Sequence, residues 1–184
     1  KDIDIALKKL SFPMIIKPRK GFRSIDVFLV KTEKELRQKI KLITKPIIQE
    51  YIGNKNSEYT CGTIFFDGNI KKSIVLRRDL KDGHTSTTYF DKNIPSVITK
   101  YIEEVSVALK GQYGVCNFQL RLDKKGLPKI FEINPRHSGT TYIRSLYGYN
   151  EIEYILEYLL KGKQINFLLK YGVVKRYFDE FFLG

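Results

Sequence analysis

Between Cys116 and Arg136 the residue types alternate in a way that suits one local fold, a β-hairpin. The runs 116–122 and 129–136 are joined by Asp123-Lys124-Lys125-Gly126-Leu127-Pro128, a reversal rich in turn formers. Successive strand residues face opposite ways, so Phe118, Leu120 and Leu122 point to one side and Asn117, Gln119 and Arg121 to the other. In the second run Ile130, Glu132 and Asn134 share one face and Phe131 and Ile133 the opposite one; Pro135 then ends the ladder and turns Arg136 away. A hairpin symmetric about Lys125-Gly126 sets Gln119 across from Glu132, with Cβ atoms about 5 Å apart. Three oxygen-bearing side chains then meet on one rigid platform with an arginine beside it.

Such a platform suits Mg²⁺, a hard ion that takes carboxylate and amide oxygens and shares its other positions with water and phosphate. Gln119, Glu132 and Asn134 are therefore the candidate metal ligands, with Mn²⁺ as a substitute ion. The competing reading of a Glu-x-Asn-x-Arg string is a solvated hairpin face, so the rest of the chain has to decide.

The chain has 184 residues, 42% hydrophobic and 13% aromatic, enough to bury a real core in one compact domain or two small lobes. Thirty-three basic against twenty acidic residues give a formal charge of +13, which favours polyanionic partners. The basic residues are scattered, with no zinc-finger spacing and no arginine-rich tail, so a nucleotide fits better than nucleic acid. Cys61 and Cys116 each lie inside a strand-like run and read as small buried apolar residues of a reducing compartment. There is no signal peptide and no apolar run near the ~20 residues of a membrane span, so a soluble cytoplasmic protein without membrane partners is expected. The chain opens on Lys1, with Ile3, Ala6, Leu7 and Leu10 already at helical spacing, and is expected to be part of a longer polypeptide.

An α+β organisation follows from the remaining pattern. Pro13–Lys17 and Asp26–Val30 read as strands joined by the basic loop Pro18-Arg19-Lys20-Gly21-Phe22-Arg23-Ser24. Thr32-Glu33-Lys34-Glu35 is a capping box for a helix burying Leu36, Ile40 and Ile43, and Ile47–Ile52 is a further strand. These make a first lobe, residues 1–52. In the second, 53–184, Glu58–Phe66 and Ile70–Arg78 form a hairpin, Lys81–His84 a loop and Thr85–Phe90 a strand. A helix follows with Pro95 in its first turn and Gly111 as its stop, then the platform hairpin and helices ending near Lys161. Ser138-Gly139-Thr140-Thr141 either caps a helix or presents N–H groups to an anion, and the aromatic tail Tyr171–Phe182 is expected to pack back on the body.

Lys17-Pro18 followed by Gly21 and Ser24, then Gln49-Glu50-Tyr51-Ile52 with Glu58, then Gln119, then Glu132-Ile133-Asn134-Pro135-Arg136, resemble in order and spacing the motifs of the ATP-grasp family. The resemblance runs from about Phe12 to Tyr149. Within the family it is nearest to the large subunit of carbamoyl phosphate synthase, through His84-Thr85 and Asn117-Phe118-Gln119. The chain departs from those synthases after Asn-Pro-Arg, where His137-Ser138-Gly139-Thr140 replaces a Ser-Arg pair.

The resemblance implies an ATP-grasp fold, two α+β lobes holding ATP with Mg²⁺ or Mn²⁺. It implies that Lys17 reaches the phosphates, that the loop through Gly21 to Ser24 folds over them, that Gln49, Glu50, Tyr51 and Ile52 meet adenine and that Glu58 takes the ribose hydroxyls. It further implies phosphorylation of a carboxylate to an acyl phosphate, which an amine or similar nucleophile displaces. Arg136, Arg77 and His84 are the candidate catalytic residues, Arg77 and Arg78 being alternatives because neighbours on a strand face opposite ways. The carboxylate is unidentified, and the domain that precedes this region in the family is expected to help build its pocket. A non-catalytic, regulatory ATP-binding domain is the alternative, and a basic nucleic-acid-binding module a distant one.

Overall fold

The computed structural model describes residues 2–21, 24–110 and 112–177. Arg23 of the basic loop, the proposed helix stop Gly111 and Phe178–Phe182 of the aromatic tail lie outside the described residues. The chain divides into two compact units, residues 1–52 with 82–84, and residues 53–81 with 85–184.

In the first unit, helix α1 (Asp2–Lys9), strands β1 (Met14–Pro18) and β2 (Phe28–Val30), helix α2 (Glu33–Lys39) and strand β3 (Pro46–Glu50) follow one another. The sheet order is β2-β1-β3, with β1 antiparallel to both neighbours. The second strand is shorter than its sequence suggests because Ser24 and Asp26 adopt left-handed φ of 55° and 58°, which no strand accommodates. The Thr32 hydroxyl caps α2 by accepting from Glu35 N–H at 3.2 Å, while the Glu35 carboxylate reaches back one residue further than a standard box, to Lys31 N–H. One sheet face, with Met14, Ile16, Val30 and Ile48, packs on Ile3, Leu7, Leu36, Ile40 and Ile43 of the helical segments. The other face carries Ile15, Lys17, Leu29, Ile47 and Gln49, which the register sets side by side.

The second unit is built on a six-stranded sheet in the order β8-β7-β4-β5-β6-β9. Its strands are β4 (Glu58–Phe66), β5 (Asn69–Lys81), β6 (His84–Phe90), β7 (Gly114–Leu122), β8 (Pro128–Asn134) and β9 (Gly172–Lys175). Two Asp-Gly turns, Asp67-Gly68 and Asp82-Gly83, close the β4–β5 and β5–β6 hairpins with positive φ at both positions of each, the geometry that matches strand twist. Strands β5 and β6 consequently run further toward their turn than the alternation alone indicates. Helix α3 (Ser96–Ala108), with Pro95 immediately before it, covers one sheet face, where Ile98 and Ile102 meet Tyr59, Cys61, Val75, Phe118 and Leu120.

The opposite face is divided. Its apolar half, Ile64, Phe66, Ile74 and Leu76, lies under helices α4 (Thr141–Leu146) and α5 (Glu151–Lys161) through Ile143, Tyr147, Tyr149 and Tyr154. Its polar half carries Glu58, Thr60, Arg78, Gln119, Arg121, Glu132 and Asn134, as the β4–β7 and β7–β8 registers require. Both cysteines are buried free thiols on the α3 side; burial pushes Cys61 up to about 12 and Cys116 up to about 11. From the aromatic tail, residues 172–175 pair with β6 as an edge strand, and Tyr171 meets Phe90 at 5.0 Å between ring centroids. None of the described helices is long and apolar enough to cross a membrane.

Candidate functional site

The platform hairpin is closed by Asp123, whose carboxylate accepts from the Lys125 and Leu127 N–H groups at 2.8 and 2.9 Å, with Gly126 at φ 76°. Gln119 pairs with Glu132 and Asn117 with Asn134. A register shift between Gln119 and Leu120 corrects one part of the alternation: Leu120 pairs with Ile130, so a bulge at Phe131 turns Ile130 to the α3 core and away from the face of Glu132.

At the platform, Glu132 Oε1 accepts from Asn134 Nδ2 at 2.7 Å and from Gln119 Nε2 at 3.4 Å. The Gln119 oxygen in turn accepts from Arg78 at 2.7 Å and the Asn134 oxygen from Arg136 at 3.2 Å. Arg136 is exposed and also donates to the His137 carbonyl. Glu132 is exposed, and its second oxygen takes no hydrogen bond among the described residues. Carboxylate and amide oxygens are the donor set a hard divalent cation takes, and turning the half-buried Asn134 amide about its terminal torsion, away from the exposed Arg136, sets an oxygen beside Glu132. The pair Glu132 and Asn134 therefore fits Mg²⁺.

Arg78, not Arg77, faces this platform. Arg77 pairs with Tyr59, whose ring belongs to the α3 core, and its guanidinium stacks 3.6 Å over the Tyr89 ring beside Asp79 at 3.0 Å. Alternation along β5 then places Arg78 on the other face, where it donates to Glu58, Gln119 and Thr85.

Glu58 is corrected as well. It is 4% exposed; one oxygen takes Nε and a terminal nitrogen of Arg78 at 3.1 and 2.7 Å, the other Nε and a terminal nitrogen of Arg121 at 2.9 and 2.6 Å. A carboxylate has about four acceptor sites. All are filled, which leaves none for ribose hydroxyls and makes Glu58 the clamp between two arginines.

Lys17 and Gln49 lie half-buried on one face of the three-stranded sheet, the one opposite Met14 and Ile16, Glu50 exposed on the other face at the strand end, and Tyr51 and Ile52 half-buried beyond it. Gly21 and Ser24 are exposed loop residues. His84 opens β6 and groups with the first unit.

Sequence reasoning missed a buried group at the edge of the platform. Arg144 on α4 is 1% exposed and lies flat on Gly62 of β4, where a Cβ would come within 2.6 Å of its guanidinium. It donates to Asn117 at 2.5 Å and to Glu151 at 3.1 Å, and Glu151 also bonds His137 and Thr141. Burial pushes the Glu151 carboxyl up, but Arg144 and the hydrogen bonds from His137 and Thr141 outweigh it and hold the group below its usual range. Ser138–Thr141 bond chiefly among themselves: Thr140 N–H donates to the Ser138 hydroxyl and Thr141 N–H to the Ser138 carbonyl. The advance signal for Arg144 is one basic residue inside an otherwise uncharged helical stretch, Thr141–Leu146.

Among known proteins, a family model described as ATP-grasp in the biosynthetic pathway with Ter operon matches residues 43–177, well over half the chain. D-alanine–D-alanine ligase A of Bacillus cereus is 29% identical over 146 residues, covering 70% of this chain and 46% of that protein. The crystal structure of an L-amino acid ligase from Bacillus licheniformis superposes with a TM-score of 0.66 at 24% identity, over 83% of this chain and 40% of that one. The biotin carboxylase domain of Hydrogenobacter thermophilus 2-oxoglutarate carboxylase, in complex with MgADP and bicarbonate, gives a TM-score of 0.72 at 14% identity, over 94% and 42% of the two chains. At these identities the two superpositions speak for the fold alone. The chain spans less than half the length of each.

Proposed function

The chain belongs to the ATP-grasp family, and on that premise we propose that it is the nucleotide-binding part of an ATP-dependent ligase that joins a carboxylate to an amine or similar nucleophile. Glu132 carries the reading: it is an exposed carboxylate flanked by Asn134 and Gln119 and bordered by the arginines Arg136 and Arg78. The similar proteins are in part ligases, and one neighbour is a structure with MgADP.

In this reading Glu132 and Asn134 hold Mg²⁺, which when bound neutralises phosphate charge and orients the transferring phosphoryl group. Arg136, exposed and anchored by the His137 carbonyl, supplies a guanidinium to the same oxygens. Lys17 and Gln49, on the same sheet face, receive the phosphates and the base, with Tyr51 and Ile52 continuing the adenine contact. The protein's part is positioning and charge neutralisation; no side chain has to form a covalent bond. A preceding domain of the same polypeptide, as in the family, would complete the carboxylate pocket.

The narrower likeness to carbamoyl phosphate synthase draws on His84-Thr85 and Asn117-Phe118-Gln119, and within these segments on Thr85 and Asn117. Both side chains are engaged internally, Thr85 by Arg78 and Asn117 by Thr60 and Arg144, and the chain departs from that enzyme after Arg136. The broader carboxylate–amine reading is therefore the one adopted. Calorimetric titration of ATP with and without Mg²⁺ tests it. Mg²⁺-dependent binding is expected, and Glu132→Ala should abolish it; binding that is indifferent to both Mg²⁺ and Glu132 would refute the site.

A further inference from the structure

The two amides of the platform are held very differently. A guanidinium has only donors, so the Gln119 atom that Arg78 meets at 2.7 Å is the oxygen, and the NH₂ group is the one turned to Glu132. Arg78 cannot easily let go. It is 8% exposed, its Nε and a terminal nitrogen are bound to Glu58, and its other terminal nitrogen to Thr85. Glu58 is in turn fixed by Arg121. Turning the Gln119 oxygen toward a cation would set its NH₂ against the terminal nitrogen of a buried charged donor, leaving one of that nitrogen's two N–H groups without an acceptor while the other stays on Glu58.

Asn134 has no such restraint, because the arginine that meets its oxygen at 3.2 Å is exposed. Charge points the same way. Arg78, Arg121 and Glu58 together leave one net positive charge on the Gln119 side, which opposes a second cation there.

We propose that Arg78 is a positioning residue that reserves the Gln119 oxygen, so that the platform takes a single divalent cation through Glu132 and Asn134, with Gln119 a hydrogen-bond donor to Glu132 and not a ligand. This rests on the nucleotide-and-metal reading above. It reduces the three candidate ligands to two and makes the arginine, by its hold on an amide, the determinant of the ion count.

The test counts ions and needs no turnover. Mn²⁺ is titrated into the protein with the non-hydrolysable analogue β,γ-imido-ATP, and bound ions per nucleotide are read from loss of the free-ion EPR signal. The parent protein is expected to bind one, Gln119→Ala to keep that count with Kd changed by less than about threefold, and Glu132→Ala to lose it. Arg78→Met frees the Gln119 oxygen and raises the count to two. Gln119→Glu, which leaves the Arg78–Glu58 pair in place, does so by adding a second oxygen beside Glu132.

A parent count of two that falls to one in Gln119→Ala overturns the proposal and leaves the function standing. So does a count of one in both Arg78→Met and Gln119→Glu. Metal binding that survives Glu132→Ala, or no Mn²⁺-nucleotide binding by the parent, overturns the functional reading and this proposal with it.

Discussion

Glu151 shows how one buried carboxylate can hold several segments together. It is 1% exposed, and it joins Arg144 on α4 to Thr141 and to His137, the residue after Arg136. Replacing it leaves the Arg144 charge buried with only Asn117 for company, a change of the kind that costs about 3–5 kcal/mol. Because the carboxyl lies below its usual range in the folded protein, its contribution is complete above the ordinary carboxylate pKa and is lost as pH falls through the lower folded value. Urea unfolding of Glu151→Gln should therefore show a deficit at pH 7 that narrows in acid; a deficit constant from pH 7 to below the carboxylate range would deny Glu151 its charge-pair role. Gly62 belongs to the same device, since any side chain there would meet the guanidinium.

Among the elements, α2 and the platform hairpin show where local chemistry sufficed and where it did not. The capping box beginning at Thr32 predicts the start of α2, and the hydroxyl accepts from Glu35 N–H as the spacing requires. Thr32→Ala should lower the stability of the first unit by about 1 kcal/mol, read as a shift in denaturant midpoint with unchanged slope; an unchanged midpoint would mean that the cap is dispensable. The hairpin is closed by Asp123 and Gly126, also recognisable in advance. Its bulge at Phe131 was not, because a bulge answers to packing. Ile130 finds apolar contacts by joining Leu120 over the α3 core, and strict alternation would have left it among charges.

For the molecule as a whole, the +13 charge favours an anionic ligand, and a ligand that binds only the folded state must raise its stability. An ATP analogue with Mg²⁺ at about a hundred times Kd should add about 2.7 kcal/mol and raise the thermal midpoint. With Mg²⁺ omitted or Glu132 replaced by Ala the shift should vanish; an equal shift from inorganic phosphate would assign the effect to charge alone. At this scale the α+β class, most of the elements, the family and the pairing of Gln119 with Glu132 were legible in the residues alone, because turn chemistry, capping and residue alternation are local. It could not choose between Arg77 and Arg78, nor see that Glu58 is clamped by Arg78 and Arg121 from two different strands, nor that Arg144 lies over Gly62. Those features emerge on folding, because each depends on which residues of β4, β5, β7 and α4 become neighbours, and sheet register and helix docking set that from contacts remote in the chain.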